Sequence, residues 1–368
     1  MAWPPLAFVS AFVAVFAVDP ALSQTTTVFE GGQEGYHTFR IPAVVLAPNG
    51  SLLAFCEGRK TSGKDHGDID LVMKRSADQG KTWSSLKLLQ DEGGEALITL
   101  GNPVPVVDSS DGRVHLVYCR NNSEVFHTWS DDSGETWSPP VGISQGLTKE
   151  AWGWYATGPG HGIRLSSGKQ AGRLVIPANH RIGAKGDDKG SYGSHVIYSD
   201  DGGKSWRMGA IAGEANGIHP NETTALELQP GADGNSRVYF NTRNNRGENP
   251  LGRASLVSED GGRTFAGACL PIADLDVPAV QGSSLRWSDG RVFFSAPRGK
   301  KRENLTLWES RDETSTWQPF QLVQAGPSAY ADLVKTGDGK LGVLYENGAE
   351  GASERISFTR IEVSDKQD

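Results

Sequence analysis

An eight-residue unit, Ser-x-Asp-x-x-x-Thr/Ser-Trp/Phe, returns five times along this chain. A unit recurring at such a period restricts the fold to an array of similar supersecondary pieces. The copies occupy residues 76–83, 130–137, 199–206, 258–265 and, in degraded form, 310–317. Each reads as a hairpin loop. Asp and Ser/Thr oxygens bond the loop's own amides, glycine supplies positive φ, and the closing aromatic needs a packed slot. One aspartate among hydroxyls offers too few oxygens for a calcium cage, so these boxes are folding elements.

Successive repeat serines stand 52 to 69 residues apart, a suitable length for a four-stranded propeller blade with its loops. The chain beyond residue 25 holds close to six such lengths. Six tight-turn signals give the same count: Asn49-Gly50, Asp111-Gly112, Ser167-Gly168, Asp233-Gly234, Asp289-Gly290 and Asp338-Gly339. Each is bracketed by apolar β-branched runs, the signature of a hairpin. The last blade has no box. Residues 25–29 are β-rich and can supply its outer strand, closing the ring and hiding two sheet edges. With 46 glycines, 19 prolines, ten tryptophans and no long helical period, the expectation is an all-β, six-bladed β-propeller forming one domain over residues 25–368. A net charge of -8 argues against nucleic acid or an anionic membrane surface as the main partner.

Residues 6–18 form an apolar run followed by the small residues around Ala21-Leu22-Ser23, which reads as a secretory leader over residues 1–24. The run is too short to span a bilayer, and no Lys or Arg precedes it, which is atypical. The expectation is a secreted, extracellular or lumenal protein with no integral membrane span after leader removal. Cys56, Cys119 and Cys269 make no disulfide framework, and the first two lie in apolar strand-like runs as buried thiols. Sequons begin at Asn49, Asn121, Asn221 and Asn304. No His/Cys/carboxylate set has metal-ligand spacing, so no metal or other cofactor is expected.

Strand direction sorts the polar residues. In each blade the starts of strands one and three and the end of strand two share a rim, opposite the boxes. Arg40, Glu57, Arg59, Asp65, Glu222, Arg243, Arg302, Tyr330 and Glu346 all fall at that rim. Any one of these charges alone is an ordinary solvated loop residue. Several arginines converging on a concave mouth call for an anion to hold.

These residues resemble the exo-sialidases (neuraminidases) over nearly the whole chain after the leader. The resemblance is carried by Phe39-Arg40-Ile41-Pro42, the five boxes, Arg59 with Asp65 six residues on, Gly158-Pro159-Gly160-His161-Gly162, Asn221-Glu222, Asn241-Thr242-Arg243, Arg302, Ala329-Tyr330 and Tyr345-Glu346. It implies an arginine triad, Arg40, Arg243 and Arg302, gripping the sugar carboxylate, as planar guanidinium groups do bidentately. Glu346 would hold Arg40, and Arg59 would contact ring substituents. Tyr330 would be the nucleophile with Glu222 as its base, because a phenol of pKa near 10 needs one. Asp65 would be the acid–base residue with a raised pKa. Asn102 and Gln281 resemble sugar-contacting positions. Trp152, Trp154 and Tyr155 suit either a substituent pocket or core packing, and His180 reads as structural. The implied activity is hydrolysis of terminal α-linked sialic acids from glycoproteins, glycolipids and oligosaccharides, by a monomer. A trans-sialidase, an intramolecular trans-sialidase and a non-catalytic sialic-acid-binding propeller are the alternatives.

Overall fold

The computed structural model describes residues 24–94, 96–184, 189–247 and 252–363. The expected leader lies, but for Gln24, outside them. Among the described residues the regular structure is all β, and no helix is long and apolar enough to cross a membrane. The strands pair antiparallel into five sheets in a propeller-like arrangement. The first sheet holds Thr38–Leu46, Leu52–Arg59, Ile69–Ser76 and Lys87–Gln90, and the second holds Leu100–Asp108, Arg113–Arg120, Glu124–Ser130 and Val141–Gly142. The third runs from Trp152–Thr157 through Leu174–Ile182 and Tyr192–Ser199 to Arg207–Gly213, with the short Ile163–Arg164 beside Leu174–Ile182. The fourth is Pro220–Leu228, Arg237–Asn244, Arg253–Ser258 and Leu270–Pro271. The fifth has seven strands: Ser283–Arg286, Val292–Pro297, Glu303–Ser310, Gln318–Lys335, Leu341–Asn347, Arg355–Ile361 and Gln24–Glu30.

Chain closure follows the expectation for residues 25–29. Gln24–Glu30 pairs with Arg355–Ile361, from Thr25 opposite Thr359 to Glu30 opposite Arg355. Neighbouring sheets then touch in a closed cycle. Thr38–Leu46 meets Leu100–Asp108 on one side and Gln318–Lys335 on the other. Asp332 locks the hub. It is fully buried; one oxygen accepts the Val44 N–H at 2.8 Å and the other takes the Ser283 hydroxyl and the His161 ring nitrogen, each at 2.7 Å. A buried carboxylate is costly unless it is hydrogen-bonded in this way. Burial lowers the His161 pKa, but the Asp332 charge outweighs it and leaves His161 raised.

All five boxes form the turn their sequence specifies. In each, the serine hydroxyl meets the aspartate at 2.8–2.9 Å. The amide four residues after the serine donates back to that hydroxyl at 2.7–3.0 Å. That amide needs a left-handed backbone, supplied by Gly80, Gly134, Gly203 and Gly262. The degraded box keeps the bond with Thr314 at φ 74, a conformation that strains a β-branched residue.

The closing aromatics head the cores between sheets. Trp83 packs edge-on against Phe358, Trp137 against Phe55 and Trp317 against Phe294. Trp206 joins Val104, Val117 and Ile176 between the second and third sheets, and Phe265 joins Val175 and Phe240 between the third and fourth. A further core lies between the halves of the seven-stranded sheet. There Leu305 and Leu307 face Leu333 and Val343, and no box aromatic takes part.

Candidate active site

On the face opposite the boxes, one backbone feature recurs. Register slips by one residue near the start of the first strand in the first, second and fourth sheets and in the second half of the fifth. Each slip is a β-bulge, with two residues opposing one: Ile41-Pro42 opposes Cys56, Asn102-Pro103 opposes Tyr118, Asn221-Glu222 opposes Arg243, and Ala329-Tyr330 opposes Glu346. Bulges re-aim side chains that would otherwise alternate up and down the sheet. Here they turn Arg40, Asn102, Glu222 and Tyr330 toward one cleft of about 630 Å3. Ile41 adopts φ 61 and Asn102 φ 55 to make the bend, and each is followed by a proline. A β-branched residue held at positive φ marks strain stored where surrounding contacts over-determine the backbone. The Ile41 N–H is indeed fixed, donating to Glu346 Oε1 at 2.9 Å.

Three ion pairs organise the cleft. Arg40 Nε donates to Glu346 at 2.7 Å, Arg243 Nη1 to Glu222 at 2.8 Å, and Arg59 Nη2 to Glu57 at 2.7 Å. Arg302 also lines the cleft, and among the described residues it ion-pairs with no carboxylate. Tyr330 lies at the floor. Its hydroxyl donates to Glu222 Oε1 at 2.5 Å and accepts from Arg243 Nη1 at 3.3 Å. The Arg40 and Arg302 guanidinium carbons stand 5.1 and 5.6 Å from its ring centre. Burial, then the Glu222 charge, holds the Tyr330 phenol above its ordinary range despite three nearby arginines. The phenol therefore keeps its proton, and the carboxylate that receives its hydrogen bond is Glu222.

Asp65 sits on the loop after Leu52–Arg59 with its side chain 70% exposed. Arg59 Nη1 donates to it at 2.8 Å, and Arg40 Nη1 lies 3.8 Å away. Partial burial pushes the Asp65 carboxyl up, but the Arg59 charge, then Arg40, outweighs it, and the net shift is downward. This corrects the sequence-based expectation of a raised pKa, which took no account of two guanidiniums bearing on the carboxyl.

A second cavity, of about 680 Å3, opens on the box face. Its charges neutralise one another, Arg164 with Asp108 and Arg173 with Asp200, each at 2.7 Å. Within that lining Asp108 also takes the Ser110 hydroxyl at 2.6 Å, a bond inside its own turn.

Residues 50–343 match the BNR repeat-like domain family. The exo-alpha-sialidase of Aspergillus fumigatus is 32% identical over 357 residues, spanning 85% of this chain and 79% of that protein. The chain belongs to the sialidase family. Sialidases are glycoside hydrolases, and so is this protein. The sialidase of Micromonospora viridifaciens is 30% identical over 353 residues, which cover 86% of this chain and 51% of that one. Among solved structures, a Hadza microbial sialidase superposes with a TM-score of 0.78 at 24% identity, covering 92% of this chain and 68% of that one, and so shares the fold.

Of the residues expected from the sialidase resemblance, Arg40, Arg59, Asp65, Asn102, Glu222, Arg243, Arg302 and Tyr330 all line the cleft. Two do not. Gln281 is buried beneath it, donating to the Gly282 and Ala331 carbonyls and accepting the Ala331 N–H at 3.0 Å. Its amide is spent on backbone, so it is a strut and not a sugar contact. Glu346 is likewise fully buried behind Arg40 and acts as that arginine's anchor. Of the three aromatics left open, Trp154 lines the cleft while Trp152 and Tyr155 pack in the core. His180 is structural, stacked 3.8 Å from Trp152 and bonded to His195. The fold also gathers Asp68, Asp70 and Asp91, which sequence spacing does not reveal. They lie outside the cleft lining, and the Lys60 ammonium stands 3.2–3.3 Å from all three.

Sequence reading missed Glu57, Asn122, Asn179 and Arg181, which also line the cleft. Glu57 was visible as a rim residue, two positions before Arg59 on the same strand face. The asparagines carry no local signal. The paired Ile41-Pro42 and Asn102-Pro103, each opening a first strand, are the one sequence trace of the bulges.

Proposed function

We propose that this protein is an exo-sialidase that hydrolyses terminal α-linked sialic acids from glycoproteins, glycolipids and oligosaccharides with net retention at the anomeric carbon. The observation that carries the reading is the Tyr330 hydroxyl 2.5 Å from Glu222 in a cleft bearing Arg40, Arg243 and Arg302. Most glycosidases use two carboxylates, and sialidases depart from them with a tyrosine nucleophile. The substrate explains the departure: its anomeric carbon already carries a carboxylate that would repel an anionic attacker. The three arginines bind that carboxylate. Glu222 takes the phenol proton as Tyr330 Oη bonds to the anomeric carbon, and Asp65 gives its proton to the departing glycosidic oxygen. In the second step Asp65 takes a proton from water, whose oxygen displaces Tyr330, and Glu222 returns the proton to the phenol. A substrate carboxylate would offset the cations that hold the Asp65 pKa down, raising it toward the value an acid needs.

In this reading the seven-stranded sheet is two blades joined by Gln318–Lys335, making a six-bladed β-propeller and one catalytic domain over residues 25–368. The six largest inter-sheet cores support it, five of them headed by a box aromatic and one by none. The apolar run at residues 6–18 supports secretion by way of a leader.

The test is incubation with sialyllactose followed by proton NMR. Free sialic acid should appear first as the α-anomer, and Tyr330→Phe should abolish its release while the circular dichroism spectrum is retained. An anhydro sugar as the first product would instead identify an intramolecular trans-sialidase. Saturable binding with no product would identify a lectin-like propeller. Unaltered release by the phenylalanine variant would remove Tyr330 from the reaction.

A further inference from the structure

We propose that Glu57 is a positioning residue for the acid–base step, holding Arg59 and through it Asp65; this rests on the hydrolytic reading given above. Glu57 ends the Leu52–Arg59 strand, is only 3% exposed, and lies on the same strand face as Arg59. Its Oε2 accepts from both Nε and Nη2 of Arg59, at 3.0 and 2.7 Å. Its Oε1 accepts the Asn102 N–H of the neighbouring sheet at 3.0 Å. Asn102 is a bulge residue at φ 55, so this bond ties Glu57 to the strained backbone of the cleft wall. The fit is close: a Cβ added to Gly101 would lie 2.5 Å from Glu57 Oε1. Both carboxylate oxygens are therefore committed, and the arginine they hold has one orientation available.

That orientation leaves Arg59 Nη1 facing the loop that carries Asp65. Nη1 donates to the Gly63 carbonyl at 2.6 Å and to Asp65 Oδ1 at 2.8 Å. Asp65 lies in an irregular stretch between Leu52–Arg59 and Ile69–Ser76, and its side chain is mostly exposed. A loop carboxylate without such a clamp samples many rotamers, and a general acid works only within hydrogen-bond reach of the leaving oxygen. Glu57 has a second effect. It neutralises much of the Arg59 charge that would otherwise favour the ionised form of Asp65, the form unable to act as an acid.

The chemistry supplies a readout that general damage would not imitate. Protonating the departing oxygen matters for a sugar alcohol, which leaves poorly, and hardly at all for an activated phenol. Glu57→Gln should lower kcat/KM on sialyllactose by about 10- to 100-fold, a part of what a general acid contributes. It should change kcat/KM on an aryl sialoside with a strongly acidic phenol by less than about threefold on the same grounds. The basic limb of the kcat/KM profile on sialyllactose should move to lower pH, because an uncompensated Arg59 lowers the Asp65 pKa. In an Asp65→Asn background, adding Glu57→Gln should cost nothing further on sialyllactose. Glu57→Asp keeps the charge but draws it back from Arg59; it should show the same leaving-group pattern at smaller amplitude, and replaces the glutamine variant if that one fails to fold. Equal losses on both substrates, or no loss on either, would overturn the assignment. Wild-type protein that releases sialic acid from neither substrate would instead overturn the hydrolytic reading, which is a separate result.

Discussion

On the box face, five turns repeat one set of hydrogen bonds, from serine to aspartate and from the amide four residues on back to the serine. On the cleft face, four bulges at equivalent heights place Arg40, just before one of them, and Asn102, Glu222 and Tyr330, within the others, no two alike. The same strands reach both faces, so the difference lies in where each side chain finds its partners. A box is satisfied within eight residues, as when Asp260 takes the Thr264 amide and hydroxyl at 2.9 and 2.7 Å. In the cleft some partners come from distant parts of the chain. Arg40 finds Glu346 and Tyr330 finds Glu222, over 306 and 108 positions of sequence. The repeated face can thus tolerate drift within a copy, as the box at 310–317 keeps its turn with Thr314 in the glycine position, whereas each cleft residue stands alone. Stability is spread over repeats and chemistry is concentrated in single residues.

Three substitutions would break or sharpen that contrast. The largest effect is expected for Trp206→Ala, which empties a nearly buried slot between the second and third sheets. It should cost about 3–5 kcal/mol in urea unfolding while leaving kcat per folded molecule unchanged. A fall in kcat at constant stability would show that the two faces are coupled. Next comes Arg302→Ala, the triad member that ion-pairs with no carboxylate of its own among the described residues. Removing it should raise KM for sialyllactose about 10- to 100-fold, the loss of about 1.5–3 kcal/mol of charge-assisted bonding, with no change in Tm. A lowered Tm would mean that the arginine has a structural duty as well. The smallest effect is expected for Ser258→Ala, whose hydroxyl is fully buried and bridges Asp260 and the Gly262 amide. It should cost about 1–2 kcal/mol by calorimetry, and the matching serine of any other box should cost the same. Unequal costs from box to box would break the idea of interchangeable units.

The boxes, the hairpin turns and the closing strand at residues 25–29 were legible in sequence because each is a local pattern whose hydrogen bonds close nearby. The resemblance carried the site further, bringing Arg40, Asp65, Glu222, Arg243, Arg302 and Tyr330 to one cleft. It failed at Gln281, where a polar residue at the right height is turned under the floor by the Ala331 backbone. It failed again on the direction of the Asp65 pKa, which is set by Arg59 and Arg40 arriving from two strands.

Sequence by itself determined that this protein would be a ring of repeated antiparallel units, because periodic turn chemistry and apolar β-branched runs act over a few residues and need no knowledge of the whole. Only the tertiary structure decided which rim residues face the cleft, which are spent as struts, and how Glu57, Arg59 and Asp65 are chained together. Those outcomes depend on bulges and on partners supplied by other sheets, and the free energy of a buried charge is set by neighbours that no local stretch of chain contains.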